Sequence, residues 1–192
     1  VDRSRGLGDV YKRQDNGFTI VDVNTENDLG VEGEKMGHCV GSYCDDVASG
    51  RTTIYSLRDA RNEPHATIEI LPTLPLGRSR SRGKVEQIKG KGNAPPVEKY
   101  RPMIKQWLQT TDFEYERSED YLNILSEQEI KEKLFAGELE ADSERSLAKS
   151  TEDPEIIKFF LSQILAAGYT FGGTDIARVT KLGAPDIAGS LL

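Results

Sequence analysis

The sequence predicts an α+β domain, a small and mostly antiparallel sheet with packed helices, followed by an all-α C-terminal module. Three observations carry this reading. Short alternating or β-branched segments recur between Phe18 and Lys89, helical apolar stripes punctuate them, and the charge reverses sign near residue 111.

Residues 18–23 alternate apolar and polar side chains and read as a strand. Residues 34–48 read as one helix ended by Gly50, because Met36, Cys39, Val40, Tyr43 and Val47 fall on one face at helical spacing. Residues 51–57 form a second strand rich in Thr, Ile and Tyr. The turn 59–64 then leads into a third strand at 66–71, and a hairpin is the simplest connection. Residues 72–83 are a Pro, Ser, Arg and Gly loop, and 84–89 form a fourth strand antiparallel to the third. A Gly/Asn/Pro turn then starts a helix over 97–109, with Tyr100, Ile104, Trp107 and Leu108 as its buried stripe.

The charge pattern sets the expected boundary. Residues 78–105 carry nine Lys/Arg against Glu86 and Glu98, a local +7, whereas 112–158 carry fifteen Asp/Glu against six Lys/Arg. Beyond the break, Ser126 with Glu129 has capping-box spacing ahead of Ile130, Leu134 and Phe135. Asp153-Pro154 is an N-cap followed by proline at the first helical position. The stretches 155–161 and 186–192 lie 31 residues apart, and Thr174, Ile176, Gly183, Asp186, Ile187, Leu191 and Leu192 fall at offsets that resemble an ankyrin repeat. The motif's usual Pro and His are replaced by Asp175 and Ala177. The expected organisation is an α+β domain at 15–111 and an acidic helical module at 112–192, ankyrin-like from about residue 141.

Residues 1–14 are set apart. Asp9 to Gln14 is what one frame of GATGTGTATAAGAGACAG encodes, a transposon end used in sequencing libraries, so this segment is expected to be adapter-derived and disordered. With no initiator Met and no polar tail after Leu192, the sequence is expected to be a metagenomic fragment cut at both ends. The composition, 36% hydrophobic and 30% charged with net charge −7, is that of a soluble globular chain. Two cysteines five apart make no disulfide framework, which points to a cytoplasmic protein. No apolar run is long enough to span a membrane, and nothing implies a cofactor.

The densest chemistry is Gly37-His38-Cys39-Val40-Gly41-Ser42-Tyr43. Together with Ile54 to Arg58, Pro64 to Glu69, Gln87 to Gly90 and Asn93, it resembles the PcfJ-like family over about residues 29–108. The resemblance implies a protein of a mobile genetic element, a conjugative plasmid or phage, and no particular reaction.

Four readings of the cluster stand side by side. In the first, Cys39 is a small core residue and Gly37 and Gly41 permit close helix-to-sheet contact. In the second, Cys39 is a thiolate nucleophile at a helix start, with His65 on the third strand as its base and His38, about 100° round the helix, as a weaker one. The third is a metal site of His38, Cys39, Cys44 and His65, disfavoured because residues five apart on a helix diverge by about 140°. The fourth is a recognition surface formed by Ser42, Tyr43, Arg58, Glu69, Gln87 and Asn93. There Lys91 and the Gly90–Asn93 turn offer phosphate contacts, and Arg78, Arg80 and Arg82 add more.

The sequence therefore predicts a nucleic-acid-associated binding module. Its basic block at 78–105 would meet nucleic acid, and its C-terminal repeats would meet a protein partner. A thiol-dependent hydrolase using Cys39 and His65, and a purely scaffolding protein, are the alternatives.

Overall fold

A computed structural model of the protein describes residues 12–13, 17–73 and 82–168. The chain divides into two compact units, Val1–Ser126 and Glu127–Leu192.

The first unit is α+β. One sheet runs β1 (Lys12–Arg13), β2 (Thr19–Asp22), β3 (Thr53–Arg58), β4 (Pro64–Pro72), β5 (Gly83–Lys89) and β6 (Phe113–Glu114), each strand beside the next. Neighbours pair antiparallel as far as β5, and β6 joins β5 in parallel. The four expected strands are thus present with ends shifted by one or two residues. Lys12 and Arg13 of the edge strand β1 pair with Ile20 and Thr19. The rest of residues 1–14 lies outside the described residues.

Pleating divides the sheet into two unlike faces. Tyr55, Leu57, Ala66, Ile68 and Ile88 make an apolar face, buried to 9% exposure or less. The helix α3 (Arg101–Leu108), preceded by a 3-10 turn at Glu98–Tyr100, covers it with Ile104, Trp107 and Leu108. The Trp107 and Tyr55 rings lie 4.9 Å apart. This is the stripe the sequence predicts. The opposite face is apolar at Ile54, which packs with Val23, Leu29 and Val40, and polar beyond it.

The single helix expected at 34–48 is not formed. Instead α1 spans Glu26–Met36, begun by Thr25, whose hydroxyl accepts from the Asp28 N–H at 3.1 Å. Gly37 ends it in the left-handed region at φ +69, donating its N–H to the Gly33 carbonyl at 2.9 Å. The chain then turns through a 3-10 segment, Cys39–Tyr43, into the short α2, Cys44–Ala48. The apolar spacing across 34–48 was real, but a glycine able to adopt positive φ made a cap inside it.

Residues 113–126 also belong to the first unit, beyond the charge break at 111/112. Strand β6 pairs with β5, and the buried Asp120 accepts from the Ile88 N–H and Lys89 Nζ, each at 2.8 Å. Acidic residues counted as a tail by sequence thus finish the sheet.

In the second unit the described residues form three helices, α4 (Glu127–Ala136), α5 (Ala141–Ser150) and α6 (Pro154–Ala166). Asp153 caps α6 as predicted, accepting from the N–H groups of Glu155 at 2.9 Å and Ile156 at 3.3 Å. Lys131 of α4 pairs with Asp153 at 2.9 Å and with Glu155, and these carboxylates push its pKa up. The ankyrin-like positions from Thr174 onward lie outside the described residues. No helix among the described residues is long and apolar enough to cross a membrane.

Candidate functional site

The polar half of the second sheet face is where the chemistry gathers. The registers Ser56↔Thr67, Thr67↔Lys89 and Glu69↔Gln87 bring five polar side chains to the same side of three strands. Helix α1 packs on β4 and sends Glu32, fully buried, down onto this face. Arg58 Nη2 donates to Glu32 Oε2 at 2.9 Å, and its Nε and Nη1 donate to Ser56 Oγ and Asn62 Oδ1, each at 3.2 Å. The Thr67 hydroxyl donates to Glu32 Oε1 at 2.6 Å, and His38 Nε2 lies 3.0 Å from the Thr67 oxygen. A continuous chain therefore runs from a buried guanidinium to an imidazole.

Close backbone approach puts that imidazole there. A Cβ on Gly33 would lie 3.0 Å from Gly41 N and 3.1 Å from His38 O, so a side chain there would push the 3-10 turn off α1 by a few tenths of an ångström. Gly41 faces Leu29 and Gly30 of α1 and Gly37 caps that helix, so these two serve the helix and the turn rather than the expected helix-to-sheet contact. A cleft of about 30 Å³ results, lined by His38, Cys39, Tyr43, Glu69, Gln87 and Asn93, among others. Asn93 arrives from a turn in which Gly92 and Asn93 both have positive φ, +65 and +62.

Partial burial sets the electrostatics. It lowers the pKa of His38, against the opposing pull of the Glu32 carboxylate, and so favours neutral imidazole. Burial raises the Tyr43 phenol, helped by the Glu69 charge and opposed by a hydrogen bond from Gln87. Burial likewise raises Glu69, whose Oε1 accepts the Thr52 hydroxyl at 3.1 Å.

Of the residues singled out by sequence, Tyr43, Glu69, Gln87, Asn93, His38 and Cys39 meet at this cleft. Ser42 is exposed and donates to the Cys39 carbonyl at 2.8 Å. Arg58 is in the buried ion pair with Glu32, not on a ligand surface. Cys39 is exposed, which removes the reading of it as a core residue. His65 is not brought to Cys39. Its Nδ1 meets the Tyr100 hydroxyl at 3.0 Å, its Nε2 meets Asp59 at 3.2 Å, and its ring stacks on Tyr100.

The basic block is partly neutralised in three dimensions. Arg82 pairs with Asp112 at 3.3 Å, Lys84 with Glu86 at 3.9 Å and Lys89 with Asp120 at 2.8 Å, while Arg101 donates to the Pro96 and Leu125 carbonyls. Lys91 is exposed at the turn, and Arg78 and Arg80 lie outside the described residues.

Sequence reasoning missed Glu32, Thr67 and Asp120. A signal existed for Glu32: Leu29, Glu32 and Met36 share one helical stripe, and a carboxylate on an apolar stripe behind a Thr25 N-cap calls for a buried partner. Nothing local marks Asp120 as a partner of β5, since Ile88 and Lys89 lie 32 and 31 residues earlier.

A sequence model of the PcfJ-like protein family matches residues 9–105, just over half of the chain and all of the cleft. No curated protein matches the chain, and no solved structure matches it.

Proposed function

The chain belongs to the PcfJ-like protein family, and from the cleft it carries we propose that its first unit is a nucleic-acid-associated binding module of a mobile genetic element, working in the cytoplasm. The observation that carries this reading is the convergence of hydrogen-bonding side chains from four separate segments on one small opening. A space of about 30 Å³ admits a group of a few atoms, not a whole nucleotide, so a strand would be held at the mouth with one group inserted. Lys91 and the backbone of the Gly90–Asn93 turn would meet phosphate beside it, and Arg78, Arg80 and Arg82 would add contacts. The surface pair Arg82–Asp112 is exposed on both sides, so a phosphate can exchange for the carboxylate at little cost. The acidic second unit would engage a protein partner.

Anisotropy of labelled single- and double-stranded oligonucleotides with the full chain tests this reading. Binding should weaken steeply with salt, and Lys91→Ser should reduce both affinity and salt slope. No salt-dependent binding at low ionic strength would end it.

A thiol-dependent hydrolase remains as a second reading on one observation: Cys39 is exposed in the cleft that also holds His38. His38 would then replace His65 as the base.

A further inference from the structure

The His38 ring has more hydrogen-bonding contacts than a neutral imidazole can supply with hydrogens. Its Nε2 lies 3.0 Å from the Thr67 hydroxyl, that hydroxyl lies 2.6 Å from Glu32 Oε1, and the ring also bonds the His38 backbone carbonyl. These three contacts need three hydrogens. Thr67 has one to give and a neutral imidazole has one, so one contact must bring two lone pairs together. An imidazolium has two ring N–H groups, one for the carbonyl and one for Thr67. The Thr67 proton then goes to Glu32, and every contact is satisfied. Desolvation of the ring opposes that state and outweighs the Glu32 carboxylate, holding the pKa below its ordinary value. The ring is therefore neutral at neutral pH, among partners arranged for its charged form.

An anion bound nearby would reverse the balance. A Cβ on Gly37 would lie 3.9 Å from Gly92 N, so the Gly90–Asn93 turn packs against the residue that precedes His38. Asn93 of that turn and His38 line the same cleft. Lys89, which also lines it, is already paired with Asp120 at 2.8 Å. We propose that His38 couples phosphate binding at this turn to proton uptake: a phosphodiester held beside the ring draws a proton from solvent onto the imidazole. This rests on the nucleic-acid reading for the source of the phosphate, and on the hydrogen count for the uptake. Protonation then adds a cation beside the phosphate and completes the contacts to Thr67 and the carbonyl. Glu32 and Thr67 are positioning residues in this scheme, acting through the imidazole. The charged or titratable groups around the ring are Glu32 from α1, with Arg58 of β3 behind it, Cys39 and Tyr43 from its own turn, Glu69 from β4 and Lys89 from β5. Glu69, its pKa raised by burial, is the competing site for a proton. Affinity should rise as the pH falls through the bound-state pKa of His38 and level off below the free-state one, by at most about tenfold per pH unit for one proton.

Oligo-dT and the full chain test the coupling, because neither thymine nor a phosphodiester titrates between pH 5.5 and 8. At fixed ionic strength, calorimetry in buffers of different ionisation enthalpy should find net proton uptake on binding near pH 6.5. Anisotropy should find affinity at least about threefold greater at pH 6 than at pH 7.5. His38→Gln should lose the uptake and flatten the pH dependence. Thr67→Val, which removes the acceptor for the ring N–H, should reduce the uptake, and Thr67→Ser should restore it. Uptake unchanged by Thr67→Val overturns the hydrogen count. Binding without uptake, or uptake that survives in His38→Gln and so belongs to Glu69, overturns the coupling and leaves nucleic-acid association standing. No salt-dependent binding at any of these pH values overturns both.

Discussion

Arg58 Nη2 sits 2.9 Å from Glu32 Oε2, tying the end of β3 to the middle of α1 through a carboxylate with no solvent exposure. Removing one side of such a pair strands a buried charge, so Arg58→Met should cost about 3–5 kcal/mol by urea unfolding. Glu32→Leu combined with Arg58→Met should recover most of that loss. The double variant should nevertheless shift the His38 ring resonances, because the Thr67 hydroxyl beside the imidazole then has no carboxylate to face. A double variant as unstable as the single one would show that the pair's value lies in stability rather than in orientation.

Gly33 and Gly37 are four residues apart and should fail differently. At Gly37 a Cβ would meet nothing closer than 3.9 Å, so Gly37→Ala pays only for positive φ, about 1 kcal/mol. At Gly33 the obstacles are backbone atoms at 3.0 and 3.1 Å, which cannot rotate away. Gly33→Ala should push the 3-10 turn off α1, cost about 1–3 kcal/mol and move the His38 and Tyr43 amide resonances. Chemical-shift changes confined to residue 33 would contradict this.

How much was legible follows from these residues. Strand positions, the hairpin, the α3 stripe and the Asp153 cap depend on local periodicity and local hydrogen bonds, and a sequence displays both. Much of the cleft was legible too, since Tyr43, Glu69, Gln87 and Asn93 sit within the stretch whose residue types stood out. The partner of Cys39 was not. Helix-borne Cys followed by strand-borne His suggests a dyad, yet Tyr100 and Asp59 take both nitrogens of His65, and no spacing rule shows that competition. The basic block misled for a related reason: its charge was counted along the chain, while Asp112 and Asp120 neutralise parts of it across the fold.

The pH dependence of stability should carry the signature of His38. Its folded pKa lies below the unfolded value of about 6.5, so the folded state binds fewer protons in that interval. Stability is then fully present above pH 6.5 and is lost as the pH falls through the folded pKa. Glu69 works in the other direction: with its pKa raised, stability declines as the pH rises through and just above the ordinary carboxylate range. His38→Gln should flatten the first dependence and Glu69→Gln the second, read as urea midpoints from pH 4 to 8. A His38→Gln profile that matches the parent below pH 6.5 would assign the acid loss elsewhere.

Asp120 should prove structural. It accepts from the Ile88 N–H, from Lys89 Nζ and from Asn123 Nδ2 at 2.7 Å, closing the part of β5 that β6 does not pair. Asp120→Ala leaves a buried N–H unsatisfied, which costs about 1–3 kcal/mol. Hydrogen exchange at Ile88 should accelerate in that variant while exchange at Ile54 changes little. Unchanged protection at Ile88 would mean that another group or water takes over the donor.

Thiol reactivity separates the binding reading from the hydrolase reading. Cys44 is half-buried against the cluster around Val40 and Ile54, and its thiol donates to the Gly41 carbonyl at 3.2 Å. Cys39 is exposed, so iodoacetamide should label it well ahead of Cys44 at neutral pH. Exposure alone accounts for that order and does not make Cys39 a nucleophile. The informative comparison is His38→Gln. With Nε2 committed to Thr67, and with a five-residue 3-10 turn too short to supply much dipole, the Cys39 rate should stay within about twofold of the parent. A tenfold or greater fall would mean that the imidazole assists the thiolate, and the hydrolase reading would then displace the binding one.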